Sequence, residues 1–224
     1  MSHPKRRRCA CIHEAGHCLA LWYFGRSLTR VIVRSAEEGP EAQVRPDGKG
    51  GHMRFDAVAY VETDFAGYNY PQAMIVGKKS ERYRGRFKRS IECDEETALI
   101  VYCAGVAAQA RYTKKSSLLL AFSSGLSDMQ KVQEVLRRGW ADEEQRHSIS
   151  LIADQRSRAL IRSNQGWSAV MAIADQLMVR GELDGNEVAE ICQAAYGSCE
   201  PTSGSWYRCW PPTLKQLRAG FIPE

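Results

Sequence analysis

His13-Glu14-Ala15-Gly16-His17 is an H-E-x-x-H segment, and the rest of the fold has to be built around it. On a helix, residues four apart share a face, so both imidazoles can reach one metal ion. Glu14 then stands ready to take a proton from water at that metal, which is the zinc metallopeptidase arrangement. The competing explanation is a chance match with three solvated side chains. The flanks speak against it. Cys9, Ala10, Cys11 and Ile12 precede the motif and Cys18, Leu19, Ala20, Leu21 and Trp22 follow it, the apolar setting expected of a buried helix with a metal site in its wall.

Working outward, helical periodicity runs from about Lys5 to Tyr23 and Gly25 ends it. Thr29 to Arg34 alternates apolar and β-branched residues and reads as a strand, and Glu37 to Gly51 reads as a turn or loop. Gly51 to Val61 alternates again, as a second strand or a strand pair. Residues 62–92 are rich in Gly, Tyr, Lys and Arg and look like an insertion or mobile loop. Asp94-Glu95-Glu96 places negative charge at the start of a helix to about Tyr112. Ser127 is the expected cap of a helix from Asp128 to Trp140. Further helices are expected from Asp142 to Ser163, Trp167 to Arg180 and Gly185 to Tyr196, with a break at Gln165-Gly166. The expectation is a mainly α domain over residues 1–197, a helical bundle with a small β-sheet beside the first helix, and an irregular Cys/Trp/Pro-rich tail over 198–224.

Composition narrows the function classes. A chain of 224 residues buries a real core without staples. No apolar run approaches a membrane span; the longest lies around Ser117 to Phe122. The basic residues Lys5 to Arg8 precede the histidine motif itself, so they do not open a signal peptide. With no secretory context, the eight cysteines read as reduced thiols in a cytoplasmic protein. Cys9, Cys11, Cys18, Cys93, Cys103 and Cys192 read as small buried hydrophobes, and Cys199 with Cys209 is the pair that could bridge or hold a second metal. The net charge of +5 sits largely in Lys5 to Arg8 and in the run Lys78, Lys79, Arg82, Arg84, Arg86, Lys88, Arg89. That second run has Tyr83 and Phe87 interleaved, but charge runs are usually solvated, and nucleic acid is the disfavoured partner.

Two histidines leave a catalytic zinc one protein ligand short. His52, His147, Glu92, Asp94 and Asp128 are the candidates, and spacing does not choose among them.

The segment Ile12 to Ala20 resembles the His-Glu-Ala-Gly-His-Ala stretch of the FtsH family of ATP-dependent zinc proteases. Three further stretches match that family in order. Ala98 to Ala110 is similar to its leucine-rich helix with the Gly-Arg-Ala-Ala-Glu core, and Ser124-Gly125-Leu126-Ser127-Asp128-Met129-Gln130-Lys131-Val132 to its Gly-Ala-Ser-Asn-Asp-Leu helix start. Ala174 to Val188 resembles its closing helix, turn and Leu-Asp-Gly-Glu-Glu-type helix start. The matches span residues 8–196, the extent of the family's peptidase domain. The resemblance implies Asp128 as the third zinc ligand beside His13 and His17, and Glu14 as the catalytic base. It also implies a role for Gly51, His52, Met53, Arg54 and Phe55 on an edge strand that binds extended substrate by strand addition.

The departures are as specific. The sequence has no G-x-x-x-x-G-K-[ST] phosphate loop, the turn before Asp128 is one residue shorter than the family's, and Ser127 replaces its Asn. The expectation is therefore a zinc-dependent endopeptidase acting on flexible or unfolded polypeptides, with a separate ATPase or self-association as further partners and no membrane. Its rival is a non-catalytic zinc-binding regulatory or interaction protein that keeps the peptidase fold.

Overall fold

The computed structural model describes residues 3–34, 38–39, 41–46, 52–63, 78–198 and 200–223. Its central strut is α1 (His3–Tyr23), which is buried continuously from Cys11 to Phe24. Apart from His13, Glu14 and His17 this buried stretch is apolar on every side, as a helix in the interior has to be. Against it packs α2 (Lys78–Thr113), a 36-residue helix on the order of 54 Å long. The two backbones approach closely because both faces carry small residues. A Cβ on Gly16 would lie 2.5 Å from the Ala104 carbonyl oxygen and 2.9 Å from the Ala108 Cβ, so only glycine fits this crossing. The contact sets the histidines of α1 over the C-terminal half of α2, from Val101 to Gln109.

The remaining helices close around this pair. They are α3 (Ser117–Ala121), α4 (Leu126–Gly139), α5 (Glu143–Arg162), α6 (Asn164–Arg180), α7 (Gly185–Tyr196), α8 (Ser203–Cys209) and α9 (Leu214–Arg218). Local signals fix several ends. Asp142 caps α5 by accepting from the Gln145 amide, Ser163 caps α6 through the Gly166 amide, and Asp184 with Glu187 forms a capping box on α7. Strands β4 (Ala59–Glu62), β1 (Arg30–Val33) and β5 (Glu182–Asp184) make an antiparallel sheet in that order, with Arg30 opposite both Glu62 and Asp184. Strands β2 (Glu41–Pro46) and β3 (His52–Ala57) pair separately, Glu41 opposite Ala57 and Pro46 opposite His52. Mainly helical architecture with a small sheet is what the sequence implies.

Several elements differ from expectation. The helix expected to start at Asp94 starts at Lys78, because Lys, Arg and Glu propagate a helix well. Its acidic triplet is not a first turn at all: Asp94 pairs with Arg26 of the segment after α1, and Glu96 with Arg156 of α5 at 2.7 Å. The basic run therefore lies on a helix rather than in a loop, and residues 64–77 of the expected insertion lie outside the described residues. The segment 37–51, expected as a turn, contains β2, and β5 was not anticipated. Helix α4 begins at Leu126 after Gly125, so Ser127 lies inside it rather than capping it. Finally, the tail carries α8 and α9 and joins the main core through Trp206, Trp210 and Leu217. Trp206 is fully buried against Tyr23 and Phe24 and donates its Nε1–H to the Tyr23 carbonyl at 2.7 Å. Cys9, Cys11, Cys18, Cys93, Cys103 and Cys192 are buried free thiols; Cys209 is exposed and free, and Cys199 lies outside the described residues.

Candidate metal centre

Helix α1 places His13 and His17 one turn apart, with ring centroids 4.8 Å from each other, facing α2 and the start of α4. Asp128 comes from the first turn of α4. There it heads the buried stripe Asp128, Val132, Val135, Leu136, a spacing that otherwise holds only apolar residues. The carboxylate thus points inward. Its Oδ2 lies 2.8 Å from His13 Nε2 and 3.4 Å from His17 Nε2. Among the described residues, His13, His17 and Asp128 form a buried group that could hold a metal ion, their donor atoms all within 4.8 Å of one another.

Each imidazole is oriented from behind. His17 Nδ1 lies 2.8 Å from the Val101 carbonyl oxygen, which can only accept, so Nδ1 carries the proton and Nε2 is left for the site. His13 Nδ1 faces Gln109 Oε1 at 3.2 Å, and the same oxygen accepts from Ser124 Oγ at 2.8 Å. Such partners fix the tautomer and ring plane of metal-binding histidines. The space between the two Nε2 atoms is kept open by Gly105 of α2. A Cβ there would lie 2.7 Å from His13 Nε2 and closer still to His17 Nε2. In a tetrahedral zinc site with bonds of 2.0–2.1 Å, neighbouring donors stand about 3.3 Å apart, close to the Nε2–Oδ2 spacings seen here. The donor set and the cradle fit a zinc ion.

Charge completes the picture. Burial pushes Asp128 upward, but the facing histidines outweigh it and hold the carboxyl well below the usual range. Burial pulls His17 down, and Asp128, by charge and hydrogen bond, lifts it above its ordinary value. Glu14 is buried beside them, and desolvation raises its pKa against the pull of His13 and His17. Lys131, one turn along α4, reaches the other Asp128 oxygen at 3.6 Å and lies over the Tyr102 ring.

Asp94, His147 and Glu92 do not join this group. Asp94 is held by Arg26 and accepts from the Tyr207 hydroxyl at 3.2 Å; His147 is exposed on α5; Glu92 belongs to α2, well before Val101, whose carbonyl faces His17. His52, Met53, Arg54 and Phe55 lie on β3, whose partner is β2 rather than the three-stranded sheet, and Gly51 is outside the described residues. Gln109, Gly105, Ser124, Lys131 and the Val101 carbonyl went unread in the sequence. A glycine among the apolar residues of α2 was the one visible trace of the cradle. No family model matches this chain, and neither does any curated protein.

Proposed function

We propose that the chain is a zinc-dependent endopeptidase of the FtsH peptidase-domain type, hydrolysing peptide bonds in flexible or unfolded polypeptides. The observation that carries this reading is the convergence of His13, His17 and Asp128 with an intact Glu14 buried against them. Zinc held by those three side chains would supply Lewis acidity, drawing the pKa of water towards about 7 and polarising the scissile carbonyl. The chain's own residues do the rest. Glu14 accepts the proton of the attacking water and returns it to the leaving amine; its burial makes it a stronger base than an exposed glutamate. Gln109 and the Val101 carbonyl hold the imidazoles in the productive tautomer. Flexible polypeptide is the substrate class these residues would cleave unaided, because donors buried this deeply are reached only by chain that can be threaded to them. A separate ATPase would widen it to folded clients. Buried reduced thiols suit the cytoplasm.

The test compares zinc content and β-casein cleavage in wild type and Glu14→Gln. One zinc per chain is expected in both, with cleavage lower in the variant by at least about 10²-fold, the lower end of a general base's contribution. Zinc-loaded wild type that cleaves no unfolded polypeptide would refute the reading and favour a regulatory zinc protein.

A further inference from the structure

Beside the candidate centre the surface turns apolar. Helix α3 is anchored by Leu120, which is buried, and by Ser117 Oγ, which accepts from Arg158 Nη2 at 2.7 Å. Its opposite face is bare: Leu118 is 65 %, Leu119 68 % and Phe122 75 % exposed. Leu118 and Phe122 are a helical turn apart with Leu119 between them, so the three form one patch. Single exposed leucines are ordinary, whereas a contiguous set marks a binding surface. The border is cationic. Lys114 and Lys115 are exposed just before α3, and no Asp or Glu occurs between Glu96 and Asp128.

The patch is also joined to the metal centre. Only the turn 123–125 separates Phe122 from α4, and that turn is tied down on both sides. Ser124 Oγ donates to the Gln109 oxygen that faces His13 Nδ1, and Gly125 packs against Val106 so closely that a Cβ would not fit.

We propose that Leu118, Leu119 and Phe122 form a docking site for the polypeptide substrate, taking an unfolded segment with apolar residues next to acidic ones while a neighbouring stretch enters the metal centre. The proposal rests on the peptidase reading above. Two other occupants fit less well. Anionic lipid recognition draws on about four to eight clustered Lys or Arg, more than Lys114 and Lys115 supply beside α3. A two-fold contact with a second copy would set Lys114 and Lys115 against themselves.

The experiment uses Leu119→Ser with Phe122→Ser, leaving Leu120 in place, and separately Lys114→Glu with Lys115→Glu; all four positions are exposed. Binding of labelled β-casein, an acidic and apolar unfolded chain, is read by anisotropy in the zinc-loaded Glu14→Gln background. Turnover of an octapeptide too short to span both sites is read with Glu14 intact. The apolar double variant should bind casein about tenfold more weakly, as expected for losing two partly inserted apolar side chains. The charge-reversed variant should also bind more weakly, and octapeptide kcat and KM should not change in either. Casein affinity that is unchanged in the apolar variant overturns the proposal. So does casein affinity unchanged alongside patch-dependent dimerisation or pelleting with phosphatidylserine vesicles. Patch-dependent casein binding by a wild type that hydrolyses neither casein nor octapeptide would uphold the docking site and sink the peptidase reading alone.

Discussion

Gly105→Ala tests the metal centre without touching a ligand. The added methyl would sit 2.7 Å from His13 Nε2 and nearer to His17 Nε2, in the volume where an ion about 2.0–2.1 Å from each nitrogen has to be. Without metal, the imidazoles can give way, and two opposing terms act. Alanine in mid-helix is favoured over glycine by about 1 kcal/mol, while overpacking costs about 1–3 kcal/mol. The net loss is therefore about 0–2 kcal/mol, a drop in Tm of no more than roughly 8 °C for a chain of this size. With metal, the imidazoles cannot both retreat and coordinate. Zinc affinity should fall by more than about a hundredfold, beyond the range typical of outer-shell changes. Competition against a chromophoric chelator and melting in excess chelator separate the two effects. Wild-type zinc affinity in a folded Gly105→Ala protein would show that the ion does not sit between these histidines.

Gln109→Leu removes the acceptor behind His13 and should weaken zinc binding about tenfold or more, while Gln109→Glu, which keeps an acceptor there, should restore most of it. The pH dependence has a definite sign. His17 and Glu14 are raised in the metal-free protein, so their stabilisation is fully present below the unfolded values, about 6.5 and 4.3, and is lost as pH rises through the folded ones. Asp128 is lowered, so its contribution is present above about 3.9 and is lost as pH falls. Zinc requires deprotonated ligands, so the gain in Tm on adding zinc should widen between pH 6 and 8; melts showing a constant or shrinking gain contradict the assignment. Trp206→Ala should cost about 3–5 kcal/mol and lower Tm by roughly 6–20 °C, measured by calorimetry, because it empties a core position and strands the Tyr23 carbonyl.

The legible part of this molecule was the part governed by local rules. The H-E-x-x-H helix announces itself by two histidines one turn apart in apolar flanks, and the helices expected from Asp142 to Ser163 and from Gly185 to Tyr196 stand as α5 and α7 within a residue at each end. What stayed hidden depends on partners far away in sequence. Asp94-Glu95-Glu96 has the composition of a helix start, yet Arg26 and Arg156 draw Asp94 and Glu96 into mid-helix ion pairs. Gln109 looks like any surface amide until His13 and Ser124 meet on its oxygen. The tail's Gly, Ser and Pro read as irregular chain, because nothing local says that Trp206 will reach Tyr23, nearly the whole sequence away. Asp128 was different: its place on the apolar stripe of α4 was a signal available from periodicity, although only the family resemblance singled it out.

That contact between Trp206 and Tyr23 bears on the order in which the molecule can be assembled. The last turn of the helix with both histidines is sealed by residues made long after it, Trp206 lying 183 positions beyond Tyr23. Trp206 covers Tyr23, and the Tyr23 hydroxyl donates to the Phe221 carbonyl. Contacts of such long range delay folding, since the intervening loop has to close before they contribute. The nascent chain therefore carries a histidine pair whose helix is still open at one end. The histidine helix is therefore fully closed only once Trp206 and Phe221 have been made, so any metal the pair holds should bind more tightly after that point than before it.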